Sequence, residues 1–303
     1  MTSKARRGSE ESTSLATSPE VVICIPAYNE SVAIGNIVQR SKVFSPLVLV
    51  CDDGSTDATS TEAANSGAIV FKHPTNRGKG AALRTLLQEA AKLRPKAVVT
   101  IDGDGQHNPG DIAVLIAPLL DNTADVVIGS RFGKENDVPF YRRFGNSFLT
   151  LLTNHLARTN LQDTQSGFRA YASRVLPNIS IRDNGMGVDS QVLIQIARKG
   201  FRIQERAVSV TYSGDTSTFN PLSHMLRVLW SISHGSRSGS KKAVPTLWTA
   251  SFVAVIMTAL VSGFLLPPSR IVIATSSLAL GAIMTSLILS QKYRLNRWIR
   301  RAR

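Results

Sequence analysis

Between residues 21 and 129, short apolar runs rich in β-branched residues alternate with longer segments of helical periodicity. This alternation constrains the fold more than any other feature of the chain. The predicted strands are residues 21–25, 47–51, 68–71, 97–101 and 125–129, and the predicted helices are residues 31–41, 57–66, 80–93 and 111–120. Continuous apolar strands that alternate with helices are typical of a mostly parallel sheet covered on both faces. The sequence therefore predicts an α/β domain.

Polar residues follow three of the predicted strands, at the point where each strand ends. They are Asn29 and Glu30 after the first strand, Asp52 and Asp53 after the second, and Asp102 and Asp104 after the fourth. In sheets of this kind, ligands bind at the carboxyl ends of the strands. We therefore expect these side chains to converge on one edge of the sheet.

The segment Asp102-Gly103-Asp104-Gly105-Gln106 places oxygen-bearing side chains at alternate positions, which lie on the same side of an extended chain. Oxygen ligands on such a turn suit Mg²⁺ or Mn²⁺, and Mg²⁺ takes the rest of its shell from waters and substrate phosphates. A D-x-D pair by itself is more often a solvated turn. Its combination with the other strand-end carboxylates favours a divalent cation that holds a nucleotide diphosphate.

Residues 73–85 form a basic, glycine-punctuated segment before a predicted helix, without the spacing of a Walker loop. Arg77 and Lys79 at that helix N-terminus are suited to holding an anion. A solvated capping loop explains the same residues equally well.

Two long uncharged stretches lie in the C-terminal third, at residues 244–266 and 271–290. A helix needs about 20 apolar residues to cross a bilayer, so both stretches are long enough. The four residues between them, 267–270, predict an antiparallel transmembrane hairpin; a pair of buried core helices is the alternative. Residues 222–234 have apolar residues at helical spacing and predict an interfacial helix, or else an amphipathic core helix.

The net charge of +14 is concentrated in the same region. Residues 216–303 carry eleven Lys and Arg and no Asp or Glu, whereas residues 1–215 carry 24 − 21 = +3. So local an excess is not a polyanion-binding signature, and we expect no nucleic-acid partner. The basic residues flank the hairpin, and the positive-inside rule therefore predicts an integral membrane protein whose N-terminal domain and both termini are cytoplasmic.

The predicted organisation has four parts. Residues 1–19 are a polar, disordered tail, 20–215 the α/β domain, 216–243 a juxtamembrane segment, and 244–303 the hairpin with a basic tail. The two cysteines, Cys24 and Cys51, lie in apolar runs and are predicted to be small buried thiols.

Seven motifs together resemble the family 2 glycosyltransferases with a GT-A fold, a Rossmann-like α/β fold with a mostly parallel central sheet. In chain order they are IPAYNE (25–30), DDGSTDAT (52–59), NRGKGAALRTLLQ (76–88), IDGDGQHNP (101–109), VIGSRF (127–132), RRFGN (142–146) and DTQSGFRAY (163–171). Within that family the chain is similar to polyprenyl-phosphate hexosyltransferases, which use dolichyl or undecaprenyl phosphate. The resemblance implies transfer of one hexose from UDP- or GDP-hexose to a polyprenyl phosphate, with Mg²⁺ or Mn²⁺ and with inversion.

The resemblance also implies roles for individual residues. Those implied to bind the donor nucleotide are Pro26, Tyr28, Glu30, Asp52, Asp53, Lys79, Asp102 and Gly103. Asp102, Asp104 and Gln106 would bind the metal, and residues 165–167 would shape the sugar pocket. Arg131, with Arg142 or Arg143, would grip the acceptor phosphate. Asp163 would lie near the reaction centre, where it orients groups or acts as a base.

Two departures from the family pattern limit these implications. The segment GMGVDSQ (185–191) supplies only Asp189 where many members have an acidic pair, and the Q-x-x-R-W motif of processive synthases is missing. The second departure favours transfer of a single sugar. A membrane-anchored transferase with a glycolipid or protein acceptor, and a non-catalytic scaffold, remain as alternatives. The oligomeric state is not predicted.

Overall fold

The computed structural model describes residues 19–132 and 140–211, with only the backbone described for residues 140–146 and 148. The predicted N-terminal tail, juxtamembrane segment and transmembrane hairpin lie outside these ranges, apart from residue 19. Within the described ranges, no helix combines the length and the apolar character that crossing a membrane requires.

Seven strands form one sheet, and the six helices of the described ranges pack around it. The strands are β1 (Val21–Ala27), β2 (Val48–Asp52), β3 (Ile69–Lys72), β4 (Ala97–Thr100), β5 (Val126–Ser130), β6 (Arg169–Ala172) and β7 (Ile203–Ala207). The helices are α1 (Ile34–Ser41), α2 (Thr59–Asn65), α3 (Lys79–Lys92), α4 (Ile112–Leu120), α5 (Phe140–Ala157) and α6 (Val188–Arg198). A short 3₁₀ helix, Pro109–Asp111, leads into α4, and another, Ser173–Asn178, follows β6.

The strand order is β3-β2-β1-β4-β6-β5-β7. All neighbouring strands are parallel except β6, which runs antiparallel to both β4 and β5. Every residue of β1, β2, β4 and β5 is buried, which explains why these strands have continuous apolar sequences. The predicted mostly parallel α/β sheet is confirmed.

The topology creates a crevice between β1 and β4. The chain proceeds from β1 outward to β2 and β3, and then returns to place β4 on the other side of β1. A reversal of this kind leaves an opening at the carboxyl ends of the two strands, where open α/β sheets bind ligands. In this protein the opening lies between residues 28–30, after β1, and residues 101–106, after β4.

The five predicted strands and four predicted helices are all present, and their ends differ from the prediction by at most three residues. The largest difference is in α1, which begins at Ile34, because residues 31–33 form a turn. Both cysteines are buried, as predicted. The antiparallel strand β6, the edge strand β7 and the helices α5 and α6 were not among the predicted elements.

Candidate active site

Three acidic side chains from the predicted set meet in the crevice between β1 and β4. Burial, together with the negative charges of Asp104, Asp57 and Asp102, raises the pKa of Glu30 to about 7. The Glu30 backbone N–H donates to Thr59 Oγ1 at 2.8 Å, which holds this turn against α2. The predicted convergence therefore holds for Glu30, Asp102 and Asp104.

Asp102 and Asp104 have opposite pKa shifts, although they are only two residues apart. Burial, followed by the negative charge of Asp102, raises the pKa of Asp104 to about 6. Burial would also raise the pKa of Asp102, but the adjacent Lys79 ammonium outweighs that effect and lowers it. Asp104 Oδ1 accepts the Gln106 backbone N–H at 3.0 Å, which bends the chain after β4. The crevice therefore holds more negative charge than its own cations balance.

Lys79 reaches this cluster from the first residue of α3. Its Nζ lies 2.7 Å from Asp102 Oδ1 and 3.1 Å from Asp189 Oδ2, the latter at the start of α6. Gly167 makes room for the pair, since a Cβ at that position would lie 2.5 Å from Asp102 Oδ2 and 2.6 Å from Lys79 Nζ. Sequence reasoning noted Asp189 but gave it no role; its partner Lys79 is 110 residues away in the chain.

Asp53 anchors the loop that carries Lys79. The Arg77 N–H donates to both Asp53 oxygens at 3.1 Å, and the Gly78 N–H donates to Oδ2 at 2.6 Å. The buried His73 approaches the same carboxylate, with Nδ1 2.6 Å from Oδ1. The loop is therefore tied to the end of β2 through Asp53, while Lys79 forms ion pairs inside the site.

Asp52 is fully buried beside the next loop. Its Oδ1 accepts the Ser55 N–H at 2.8 Å, its Oδ2 accepts the Ser60 hydroxyl, and Lys72 lies 3.7 Å away. These partners hold the start of α2. The predicted contact of Asp52 and Asp53 with the nucleotide stays a prediction, and the structure gives both carboxylates a role in positioning loops.

Arg131 and Asp163 form a two-pronged ion pair at the end of β5. Arg131 Nε donates to Asp163 Oδ2 at 2.7 Å and a terminal guanidinium nitrogen donates to Oδ1 at 2.8 Å. Asp163 is completely buried; burial alone would raise its pKa, but the Arg131 charge and hydrogen bonds outweigh it and lower the pKa. A carboxylate in this state orients Arg131 and is a poor proton acceptor.

Two further residues shape this side of the site and were not predicted. Glu205, on β7, accepts the backbone N–H groups of Gln162 and Asp163, at distances from 2.7 to 2.9 Å. Arg169 is buried and donates to the carbonyls of Thr164, Ser166 and Asp189. No local pattern marks either residue. Glu205 holds backbone groups 42 and 43 residues earlier in the chain, and Arg169 reaches the carbonyl of Asp189, 20 residues later.

His107 follows the metal-type motif and lies in the same region. Its ring packs against Phe168 with centroids 5.1 Å apart, and burial, the largest effect, lowers its pKa to about 4. Among the described residues its Nδ1 has no hydrogen-bond partner. His107 therefore lies in the site as a neutral imidazole at pH 7.

The remaining predicted residues are placed as follows. Tyr28 is exposed beside the crevice, and Gly103 lies against β1, where a Cβ would be 3.1 Å from the Pro26 carbonyl oxygen. The Gln165 side-chain amide donates to the hydroxyls of Ser190 and Thr164, each at 2.8 Å. Arg142 and Arg143 belong to α5, but their side chains lie outside the described part, so their role stays a prediction.

The residues present fit a divalent cation of the Mg²⁺ or Mn²⁺ type. In residues 19–132 and 140–211, no group of three His, Cys, Asp or Glu side chains is arranged as a metal site. The segment after β4 supplies the Asp102 and Asp104 carboxylates, and Mg²⁺ typically uses one or two carboxylates together with substrate phosphates. The Gln106 amide stays a predicted third ligand. A cation bound to Asp104 would offset both the burial and the Asp102 charge that raise the pKa of Asp104.

A family model described as glycosyl transferase family 2 matches residues 22–179, just over half of the chain. An uncharacterized protein of Methanocaldococcus jannaschii is 33% identical over 200 residues, 64% of this chain and 82% of that protein. The UDP-N-acetylglucosamine–dolichyl-phosphate N-acetylglucosaminyltransferase of Methanococcus voltae is 30% identical over 216 residues, 64% of this chain and 86% of that protein. The dolichyl-phosphate hexose transferase of Haloferax volcanii is 31% identical over 194 residues, 62% of this chain and 82% of that protein.

The solved structures similar to this chain include glucosyl-3-phosphoglycerate synthase from Mycobacterium tuberculosis in complex with Mn²⁺ and UDP-glucose. It superimposes with a TM-score of 0.58 and 24% sequence identity, over 74% of this chain and 81% of that chain. At this identity, the similarity shows a shared fold.

Proposed function

Because the chain belongs to glycosyl transferase family 2, we propose that it transfers one hexose from a nucleotide-diphosphate sugar to a membrane polyprenyl phosphate. One observation carries the proposal: Asp102 and Asp104, after β4, interact electrostatically with Glu30, after β1, at the topological switch point, and Lys79 forms an ion pair with Asp102. A divalent cation and a lysine can offset the negative charge of a sugar-nucleotide diphosphate. This crevice contains Lys79 and, beside it, carboxylates suited to binding the cation. The two relatives named for dolichyl phosphate support the acceptor class.

On the donor side, Asp102, Asp104 and Gln106 would hold Mg²⁺ or Mn²⁺, and when bound this ion would offset the charge of the leaving nucleoside diphosphate. Lys79 would lie beside the same diphosphate, and Glu30, Pro26 and Tyr28 would border the nucleotide. The solved fold relative bound to Mn²⁺ and UDP-glucose supports a nucleotide sugar and a metal of this kind.

On the acceptor side, Arg131 would grip the lipid phosphate. Both oxygens of the Asp163 carboxylate accept hydrogen bonds from the Arg131 guanidinium and fix its orientation. A planar guanidinium matches phosphate oxygens better than an ammonium does. Arg142 and Arg143 are proposed to add to the same grip.

The reaction would be a direct displacement with inversion. An acceptor phosphate oxygen forms a bond to the anomeric carbon while the bond from that carbon to the nucleoside diphosphate breaks. A phosphate monoester with a second pKa near ~6 is mostly dianionic at neutral pH, so no strong base is required. This agrees with a buried Asp163 that is already ionised and paired with Arg131.

The lipid acceptor would lie next to a membrane anchor in the same chain. We assign residues 244–266 and 271–290 to a transmembrane hairpin, with residues 216–243 at the membrane surface and the catalytic domain and termini in the cytoplasm. The support is the length of the two uncharged stretches and the basic residues at their outer ends. Basic juxtamembrane segments also attract anionic lipid.

A transfer assay tests the proposed activity. Membranes containing the protein are incubated with a panel of radiolabelled UDP- and GDP-sugars and with dolichyl or undecaprenyl phosphate in turn. We expect one donor to give a labelled lipid that mild acid cleaves, and a D102A variant to give none. Label recovered only in protein or in an acid-stable glycolipid would refute the proposed acceptor.

A further inference from the structure

Lys79 is held as a fixed counter-ion inside the site. Its side chain is only 13% exposed, and its Nζ makes two short ion pairs, to Asp102 and Asp189. The first turn of α3 that carries it is fastened on both sides. Asp53 accepts the N–H groups of Arg77 and Gly78, and the Gly80 N–H donates to the Asn184 carbonyl at 2.9 Å. The backbone that carries Lys79 is therefore fixed, and only the end of its side chain can move.

Two cations would bind the carboxylate of Asp102. Lys79 already neutralises Oδ1 from 2.7 Å, while the proposed function gives the same carboxylate to a divalent cation. Two cations that share one carboxylate repel each other strongly in a largely buried site. A metal ion that binds Asp102 must therefore push the lysine tip away, and this opposes metal binding in the absence of a donor.

Asp189 remains as an ion-pair partner for Lys79 after its ammonium leaves Asp102. Its Oδ2 is 3.1 Å from Nζ, and Arg169 fixes the Asp189 backbone by donating to its carbonyl at 2.9 Å. A lysine that keeps Asp189 but loses Asp102 has lost half of its negative partners. An incoming diphosphate can replace that lost partner, so the nucleotide offsets the cost of moving the lysine.

We infer that Lys79 is the counter-ion that the divalent cation must displace from Asp102, and that Asp189 retains it beside the donor diphosphate. Cation and nucleotide then bind cooperatively through Lys79. The inference rests on the proposed function, which places the metal on Asp102 and Asp104. Since binding free energies are linked, the nucleotide must strengthen metal binding by the same factor by which the metal strengthens nucleotide binding.

The test is the affinity of the purified full-length protein in detergent for Mn²⁺. Free Mn²⁺ is counted by electron paramagnetic resonance, first alone and then with saturating UDP or GDP. We expect K79M to bind Mn²⁺ alone at least about tenfold more tightly than the wild type, because an opposing charge is gone. The enhancement by the effective nucleotide should fall at least about tenfold, because its phosphates no longer gain the lysine.

A matched control is K96M, which removes a lysine from an exposed ion pair with Glu20 at the opposite end of β4. It should leave both quantities within about twofold of the wild type, as expected for an exposed pair. If K79M fails to give a folded protein, K79M/D189N removes the lysine and one of its partners together. The double variant should also bind Mn²⁺ alone more tightly than the wild type.

The outcomes separate the inference from the proposed function. If D102N abolishes Mn²⁺ binding but the lysine variants bind Mn²⁺ no better than the wild type, the role of Lys79 is overturned and the metal site stands. If D102N binds Mn²⁺ as the wild type does, the proposed metal site itself is wrong. A purely structural lysine would change the melting temperature and leave the coupling between Mn²⁺ and nucleotide unchanged.

Discussion

The pairing of Arg131 with Asp163 shows how a single carboxylate can matter to the reaction without exchanging a proton. Asp163 is completely buried and engages the guanidinium through both oxygens. Glu205 in turn holds the backbone of Asp163, so the arginine is positioned by two successive carboxylates. In this arrangement, the acidic residue sets the direction in which the cation points.

We therefore expect D163N to slow the reaction without affecting the metal. The asparagine amide cannot accept from both arms of the guanidinium, and a misplacement of about 1 Å is enough to cost about 100-fold in rate. We expect kcat to fall by about ten- to 100-fold. The Mn²⁺ affinity, measured by electron paramagnetic resonance, should stay within about twofold, since Asp163 holds an arginine and no ligand of the cation.

D125N is the matched control for D163N. Asp125 also binds two arginines, Arg174 and Arg202, but it precedes β5, whereas Arg131 follows it. It should lower stability and leave kcat unchanged. Equal losses of rate and of Mn²⁺ binding in D163N would contradict the assigned role.

At the residue scale, the sequence predicts which carboxylates lie at strand ends, but not what each one binds. Glu30, Asp102 and Asp104 meet as predicted. Asp52 and Asp53 follow a strand in the same way, yet their oxygens hold the loops before α2 and α3. The difference depends on the conformation of those loops, which strand periodicity does not specify.

At the scale of elements, the start of α3 is locked against the loop before α6. Gly80 lies so close to this loop that a Cβ would overlap the Asp183 carbonyl oxygen. Arg84, one turn later, donates to the Ile181 carbonyl at 2.9 Å and to Asn184 Oδ1 at 2.8 Å. These contacts set the distance between Lys79 and Asp189.

We expect G80A to destabilise the protein and weaken donor binding. The methyl group must push the 181–185 loop off α3, and such overpacking typically costs about 1–3 kcal/mol. G35A, in α1, is the matched control, because its Cβ would lie 3.1 Å from the Ser66 hydroxyl and 3.9 Å from the Glu62 carbonyl oxygen. An alanine there also favours the helix by about 0.5–1 kcal/mol. Thermal melting should give a lower midpoint for G80A than for G35A, and equal midpoints would be evidence against the lock.

The ion pair between Asp125, before β5, and Arg202, before β7, makes the stability of the protein depend on pH. Burial would raise the pKa of Asp125, but hydrogen bonds from Arg202 and Arg174 outweigh it and lower the pKa from 3.8 to about 2. A lowered folded-state pKa means that the stabilisation is complete above the unfolded-state value and is lost as the pH falls through the folded-state value. The melting midpoints of the wild type and D125N should differ by a constant amount at neutral pH.

That difference should shrink between about pH 4 and pH 2, where the wild-type carboxylate also takes up a proton. A difference that stays constant or grows in acid would show that Asp125 acts through packing and not through its charge.

The sequence predicts the first five strands and four helices because each has a clear period and a turn signal at its ends. The later elements lack these signals. β6 (Arg169–Ala172) has only four residues and contains a buried arginine, and β7 (Ile203–Ala207) is a partly exposed edge strand with three consecutive polar residues. Their pairing depends on distant partners, so the antiparallel insertion of β6 was not predictable from periodicity.

At the scale of the whole molecule, the charge and the apolar stretches divide the chain into a nearly neutral N-terminal part and a basic C-terminal part. This division underlies the proposed orientation, which can be tested by labelling. Both native cysteines are fully buried in the sheet and should not react with a membrane-impermeant maleimide. Single introduced cysteines will therefore report their own location.

We expect S269C, in the turn between the two spans, to be labelled in intact cells. A302C, near the C-terminus, should be labelled only after permeabilisation, since the positive-inside rule keeps the basic tail in the cytoplasm. Equal labelling of both variants in intact cells would contradict the hairpin, and so would labelling of A302C alone.

In the proposed reaction, a metal- and nucleotide-binding crevice delivers one sugar to a lipid phosphate. The most direct measurement offers the purified protein, with its labelled donor and Mn²⁺, equal concentrations of a polyprenyl phosphate and of 3-phosphoglycerate in one vessel. Extraction into organic solvent then separates the two products. We predict that nearly all transferred label is in the lipid and that EDTA abolishes it. Label found mainly in the water-soluble product would contradict the lipid acceptor, and transfer that survives EDTA would contradict the dependence on a metal.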